Sequence, residues 1–584
     1  MRFSTIALFL LNFSTAHAQL TGSVNANGAW NFNQSNNEKV DLKLKYNGQK
    51  FYVGTGFNIG HSFMPSTQMT SILDAKKEKS EYYKGESKEI DPRKLNAGAN
   101  IDFGYRFNPA NVLDASLSYT FSGTDEKSLL TTQRYNNFYD TPLEGVQKDT
   151  TYVRNQNLKF ITTYLHRFDS RPDASLGVSI TSTSNLKQDA NRRVTSGDFY
   201  SKAKNYATYS NLNEFKNNLS VFYDDKFNLG GNALKMKAGL DFISNQDIDG
   251  FDAENFVNGQ WRDSTQYKQS YYYSSTSTEP YVNLTYSVGK FDFFIKERVQ
   301  VYWHAMVDKL ENIKKPTDLV GLFDTFDTRN LLNAGITYRI NKLHKMTIDY
   351  GRSISRPDYK KLCPTLMIGK SDGEYFMGNP GLLPEFIDKV NLSYTYTKGI
   401  FVTKLDFNYR DKRNTAEKVI DLEKSKDITD PTVKTLYTWV NSNRQNSLGA
   451  KLNLKVDGRN VKAELYTGFN YDTYWKKGVV DKNDFNYELG TIIDLFLNET
   501  TILSSTLAYI SAKQSAFNLK GEDVIANLRL TKVLAKGMEL YAELKDIVDK
   551  EIYEETWNAD MNYLKIVSTK PNHRAVLLGI KYTF

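Results

Sequence analysis

From Val40 to the C-terminus, apolar and polar residues alternate with a period of two. Val40, Leu42, Leu44 and Tyr46 are interleaved with Asp41, Lys43 and Lys45. Leu113, Ala115, Leu117, Tyr119 and Phe121 alternate with Asp114, Ser116, Ser118 and Thr120. Leu448, Ala450, Leu452, Leu454 and Val456 alternate with Lys451, Asn453, Lys455 and Asp457, and Met538, Leu540, Ala542 and Leu544 oppose Glu539, Glu543 and Lys545. Successive side chains of a strand point to opposite faces, so each stretch predicts a strand with one apolar and one polar face. Many stretches run to about ten residues, the length a tilted strand needs to cross a hydrocarbon layer, where soluble strands are nearer five or six. Candidate strands include 22–33, 38–47, 50–63, 94–107, 111–122, 151–168, 172–185, 212–225, 233–244, 271–288 and 290–306. The second half continues the series, from 326–340 and 344–355 to 522–534, 537–548 and 573–584, for about 22 in all.

The connections separate by parity. After even-numbered strands they are short, as at Asn47-Gly48-Gln49-Lys50, Asn108-Pro109-Ala110, Lys398-Gly399 and Asp457-Gly458. After odd-numbered strands they are mostly long: 64–93, 123–150, 186–211, 245–270, 307–325, 356–387, 412–436 and 549–572. A two-sheet sandwich has no reason to sort its loops this way, and the repeat of a β-propeller is missing. The pattern predicts an all-β fold, a transmembrane antiparallel β-barrel of about 22 strands with short periplasmic turns and long extracellular loops.

Composition changes the picture little. A mean hydropathy of −0.53 suits a soluble chain. It also suits a barrel, in which only alternate strand residues face lipid. The 38 Tyr and 34 Phe against 13 Pro favour strands and interfacial aromatic girdles. After residue 19 no run of about 18 apolar residues offers a transmembrane helix. Cys363 is the only cysteine, so no intramolecular disulfide forms, and a closed barrel needs none. The net charge of +8 is modest, and no nucleic-acid-binding signature accompanies it. No His-Glu-x-x-His, Cys-x-x-Cys, Gly-x-Ser-x-Gly or P-loop pattern occurs, so no catalytic residue, metal site or cofactor is expected. Asp247-Ile248-Asp249-Gly250 and Asp252 read as a solvated acidic loop rather than a calcium loop. Tyr267 and Tyr271-Tyr272-Tyr273 read as girdle or strand-edge residues, with stacking on a sugar as the alternative.

The two ends carry signals. Met1-Arg2, the apolar run Phe3 to Phe13 and Ala16-His17-Ala18 form a secretory leader, with cleavage expected between Ala18 and Gln19. Residues 1–18 are then a signal peptide and 19–584 the barrel. At the other end Val576, Leu578, Ile580, Tyr582 and Phe584 share one strand face. A last strand ending in Phe584 resembles the terminal signal that outer-membrane proteins present to the barrel-assembly machinery, with Tyr582 and Phe584 carrying it.

One segment is richer in proline and glycine. Ser353-Ile354-Ser355-Arg356-Pro357 is followed by Leu362-Cys363-Pro364. After a gap come Gly378-Asn379-Pro380-Gly381-Leu382-Leu383-Pro384-Glu385 and a strand from Val390. This resembles the TonB-dependent receptor barrels, especially the outer-membrane β-barrel family of Bacteroidetes, over about 349–396. In that family Asn usually stands where Cys363 stands here. Read physically, Pro357, Pro364, Pro380 and Pro384 end one strand and build an ordered external loop before the next. Arg356 and Glu385 are expected to pair across the loop base.

Receptors of the family carry a plug domain before the barrel, and here the first strand is expected to begin within a few residues of Gln19. TonB coupling is therefore not implied. The resemblance implies an outer-membrane protein that admits a solute and is not an enzyme; the alternative is a surface-binding or structural barrel without transport. Lys451, Asn453, Lys462 and Glu464 are expected to face the lumen. The expected partners are outer-membrane lipid or lipopolysaccharide, the barrel-assembly machinery, and a separate plug or surface lipoprotein. No nucleic-acid partner is expected.

Overall fold

The computed structural model describes residues 19–31, 36–63, 67–74, 81–89, 93–135, 143–198, 205–257, 260–263, 269–308, 325–363, 367–368, 374–421, 435–476, 479–514, 518–535, 537–548, 550–558, 563–570 and 574–584. The expected leader, with Ala18, lies outside the described residues; Gln19 opens the first strand.

The wall strands are β1 Gln19–Asn31, β2 Asn36–Asn47, β3 Phe51–Phe63, β4 Arg93–Arg106, β5 Asn111–Tyr135, β6 Leu143–Phe168, β7 Arg171–Ser196, β8 Asn205–Leu229, β9 Asn232–Val257, β10 Gln269–Val288 and β11 Phe291–Asp308. Then come β12, interrupted into Thr325–Asn330 and Asn333–Arg339, β13 His344–Ser355, β14 Glu385–Lys398, β15 Phe401–Ile420, β16 Thr435–Asp457, β17 Val461–Lys476, β18 Val479–Asn498, β19 Thr501–Ile510, β20 Asp523–Ala535, β21 Met538–Lys545 and β22 Ala575–Thr583. Each pairs antiparallel with the next, and β22 pairs with β1 from Ser23↔Thr583 to Asn31↔Ala575, closing a 22-strand cylinder. Gly22 and Phe584 exchange both backbone hydrogen bonds at that seam, each 3.0 Å.

The alternation has a plain cause. Leu117, Phe242, Ile348, Phe407, Leu448, Phe469 and Leu578 lie exposed on the outer face. Ser447, Asp472, Asp241 and Glu279, on the inner face, are buried among other polar groups. Lys451, Asn453, Lys462 and Glu464 lie on that inner face. Lys451 Nζ is 3.2 Å from Glu488, Lys462 Nζ is 3.1 Å from Asp457, and Asn453 donates to Glu464. The accessible surface is 33683 Å², against about 21,000 Å² for a compact monomer of this mass. A hollow cylinder adds an inner surface to its outer one and so contributes to that excess.

Turns at one end are tight. Asn108 Oδ1 accepts from the N–H groups of Ala110 and Asn111, and Asn341 Oδ1 does the same for Leu343 and His344. Gly289 and Gly399 take positive φ of 55° and 57° in the two-residue turns β10–β11 and β14–β15, a conformation that a Cβ disfavours.

The other end departs from expectation. Strands β5 to β9 run for 25 or 26 residues, so much of 123–150, 186–211 and 245–270 is strand and not loop. These extensions rise above the apolar outer band and carry a mixed outer face, with Tyr152, Val194 and Tyr209 exposed among polar residues. In β7, Leu186, Gln188, Ala190, Arg192 and Val194 point out, and Lys187, Asp189, Asn191 and Arg193 point in, so Gln188 and Arg192 break the apolar alternation. Interstrand bonding supplies the order instead. Arg193 is 1% exposed and makes a two-pronged pair with Asp149 at 2.8 and 3.0 Å.

The expected loops 64–93 and 549–572 also contain strands. Thr67–Asp74, Glu81–Glu89, Ile552–Asn558 and Tyr563–Lys570 pair with one another and with β5, carrying the wall upward above the first and last strands. Asp247 and Asp249 fall within β9 and face inward, where Asp249 is buried; they are not part of a solvated loop.

Candidate functional site

The Pro- and Gly-rich segment folds into the mouth of the cylinder rather than away from it. It leaves β13 at Ser355, forms one helical turn, α1 Tyr359–Leu362, and returns at Glu385. Between these points Glu374–Phe376 pairs in parallel with Thr435–Tyr437 of β16. Leu362, Cys363 and Leu382, each at most 7% exposed, pack on Leu212 of β8, Tyr271 and Tyr273 of β10 and Met306 of β11, with Ala416 and Trp439 alongside. Tyr271 and Tyr273 are thus buried inside the mouth, and the girdle reading of these residues is corrected. Tyr267 lies outside the described residues. The segment's described residues line one side of the opening, from β8 to β16.

Each motif residue has a definable part. Gly378 donates its N–H to the Cys363 carbonyl at 2.7 Å. A Cβ there would stand 2.6 Å from the Cys363 nitrogen and 2.7 Å from the Lys361 oxygen, both immobile backbone atoms. Asn379 donates its side-chain amide to the Trp439 carbonyl at 2.9 Å and accepts the Gly381 N–H at 2.9 Å. Pro380, next in this turn, and Pro357, directly after Arg356, have no N–H to donate. Asn414 Nδ2 lies 3.4 Å from the Pro384 carbonyl.

The expected Arg356–Glu385 pair does not form. Glu385 accepts the backbone N–H of Ala416 at 2.8 Å. Arg356 instead turns into the wall. It donates to Asp327 and to Gln300, each at 2.9 Å, and its guanidinium lies 3.9 Å from the Tyr302 ring centroid. The reason is a split in the wall. Strands β12 and β13 stay paired only to Asn333↔Gly351, and Arg356, Asp327 and Arg329 bridge the gap above that point. Asp327 holds Arg329 at 2.9 Å on its other oxygen. Charged side chains thus take over where the backbone ladder ends.

The bridge continues into a polar inner wall that sequence reasoning missed. Gln300 Nε2 donates to Glu279 at 2.6 Å, as do Arg298 at 2.6 Å and Ser277 at 2.8 Å; Arg298 also reaches Asp241 at 3.1 Å. Glu279 is buried, and three donors offset the cost of desolvating its charge. Tyr302 and Tyr273 share a hydroxyl hydrogen bond of 2.9 Å. Beside Tyr273 lies Asp247, well above the apolar outer band, which ends near Phe242. Burial, with the charge of Glu214 opposite, pushes the Asp247 carboxyl up to about 6. The one available signal was the spacing of Lys296, Arg298 and Gln300 on alternate positions of a membrane strand. Their partners lie on other strands and leave no local trace. Among the described residues, no group of three His, Cys, Asp or Glu side chains is arranged to hold a metal ion.

An apolar outer band, a polar hollow interior and a narrowed mouth define a barrel that spans a membrane by its strands. The chain belongs to the outer membrane protein beta-barrel family, whose model matches residues 181–582, and its place is the outer membrane. It superposes on the ferripyoverdine receptor of the outer membrane of Pseudomonas aeruginosa with a TM-score of 0.66 and 11% sequence identity, covering 98% of this chain and 72% of that one. For the siderophore receptor PirA of the same organism the TM-score is 0.54 at 12% identity, with coverage of 98% and 81%. For its ferric enterobactin receptor, as a variant in complex with enterobactin, the values are 0.59, 13%, 98% and 82%. At such identities the likeness is one of fold. No curated protein matches the chain.

Proposed function

We propose that this barrel admits a solute across the outer membrane, with the described parts of the Pro- and Gly-rich segment, 356–363 and 374–384, narrowing its external mouth. The observation that carries the reading is the hollow, charged inner wall beneath a segment packed on one side of the opening. A barrel that only anchors external loops can close with as few as about eight strands, without a lumen of this width. The fold it shares with receptors for ferripyoverdine and enterobactin supports uptake as the direction of traffic. A separate plug chain or a surface lipoprotein would supply the partner that gates the lumen.

The buried packing of Leu362, Cys363 and Leu382 favours a second reading, a surface-binding barrel that stays shut. Swelling of liposomes containing the purified protein separates the two, with sugars of graded size as the probe. Swelling by the wild type, or by a variant with the mouth segment unseated, supports passage. Impermeability of both overturns it.

A further inference from the structure

Strands β13 to β16 carry an unusual row on their outer face. Rising from the turn end, the outward residues of β15 are Phe401, Thr403, Leu405, Phe407 and Tyr409; those of β14 are Tyr396, Tyr394, Leu392 and Val390. A strand tilted by about 40° climbs roughly 2.5 Å per residue along the axis, so an apolar band about 25 Å tall is used up about ten residues after Phe401. That height is Asp411. There the outer face changes to Arg352, Asp388, Arg413, Asp411 and Arg444. Asp388 accepts from Arg352 Nε at 2.7 Å and Arg413 Nη2 at 2.5 Å, and Asp411 accepts from Arg444 at 2.6 and 3.1 Å. The three guanidiniums remain 40 to 45% exposed.

Next to this row is a recess of about 410 Å³ lined by Thr328, Arg329, Asn330, Arg352, Phe386 and Arg413. Three arginines line it, each also paired with a carboxylate at its edge, Arg352 and Arg413 with Asp388 and Arg329 with Asp327, and Arg329 lies 5.1 Å from the Phe386 ring centroid. The split between β12 and β13 opens it, because β12 turns away and leaves its outer residues unpaired on that side. Below it, Val390, Leu392, Ile348 and Phe407 offer an apolar track.

We propose that this recess binds the phosphorylated headgroup of a lipid of the outer leaflet, with the acyl chains running down that track. Guanidiniums match phosphate oxygens two at a time. The recess stands at the height where those headgroups lie, and a free anion would have no use for the apolar track. The inference is independent of what passes through the lumen.

The test is binding of bis-phosphorylated lipid A to the detergent-purified protein, read by native mass spectrometry. Dephosphorylated lipid A and inorganic phosphate serve as comparison probes. The R352Q/R413Q double variant should lose at least about tenfold in affinity, a difference near 1.4 kcal/mol. R413K, which keeps the charge and loses the fork, should lose roughly threefold. K389Q, on the inner face of the same strands, should bind as the wild type does. Equal binding of the dephosphorylated lipid, equal loss in K389Q, or displacement by millimolar inorganic phosphate would each overturn the proposal. If the double variant fails to show the compact migration of a folded barrel, R413K decides the matter alone.

Discussion

Gly378 is the tightest point of the mouth. Its Cβ position is occupied by backbone atoms of Cys363 and Lys361, and neither can move without unseating the turn. A Gly378→Val substitution should therefore release the segment while leaving the wall intact. The chain carries its own reporter: Cys363 is the sole cysteine and is 2% exposed. Its reaction with a maleimide should be slow in the folded wild type and faster by about tenfold or more in G378V, as expected for an opening made easier by over 1.4 kcal/mol. Equal rates would mean that the segment does not depend on this close approach. Asp247 makes a second prediction. Its folded value, about 6, lies above the unfolded one, so folding favours its protonated form. That contribution is complete below the unfolded value near 4 and is lost as pH rises through 6. Asp247→Asn should thus leave thermal stability unchanged near pH 4 and raise it relative to wild type, by roughly a degree or two, above pH 7. A constant offset across that range would show that the carboxyl is not held neutral by its surroundings.

At the scale of elements, sequence legibility follows the lipid. Every barrel strand contains a segment marked by alternation, because hydrocarbon on one side and water on the other force the period. Above the band that force ends. The extensions of β5 to β9 are held by cross-strand pairs such as Arg193–Asp149, 44 residues apart, which leave no local pattern. The mouth was legible in part for the same reason. Pro357, Pro380 and Pro384 mark a break in the ladder, but its inward fold depends on Leu212 and Met306 from distant strands. The partners of Arg356, Asp327 and Gln300, lie 29 and 56 residues away. The terminal strand is the exception, a local signal with a long-range partner. Tyr582 pairs with Met538 on β21 and Val24 on β1, and Phe584 exchanges two hydrogen bonds with Gly22. Deleting residues 582–584 should remove closing contacts on both sides of β22 and reduce surface levels by about tenfold or more. Wild-type levels in a whole-cell accessibility assay would show that assembly does not read this end.

The whole molecule stands on closure, because an open sheet of this size would leave two rows of unpaired backbone groups in hydrocarbon, each costing several kcal/mol. Closure fixes one register between the first and last strands, in which Ala26 stands opposite Ile580 and Gly28 opposite Leu578. Cα atoms directly opposite in an antiparallel pair lie about 4.5 to 5.5 Å apart, within reach of a disulfide. Oxidising an Ala26→Cys/Ile580→Cys variant should therefore link the two ends of the chain. The denatured, non-reduced product would be a circle that migrates faster than the linear chain. Buried Cys363 would take no part. An Ala26→Cys/Leu578→Cys variant, displaced by two residues, should link far less, since its Cα atoms are one diagonal step apart. Equal yields from both pairs would mean a seam that slides. No circle from either would mean an unclosed sheet, and the hollow lumen on which transport depends would go with it.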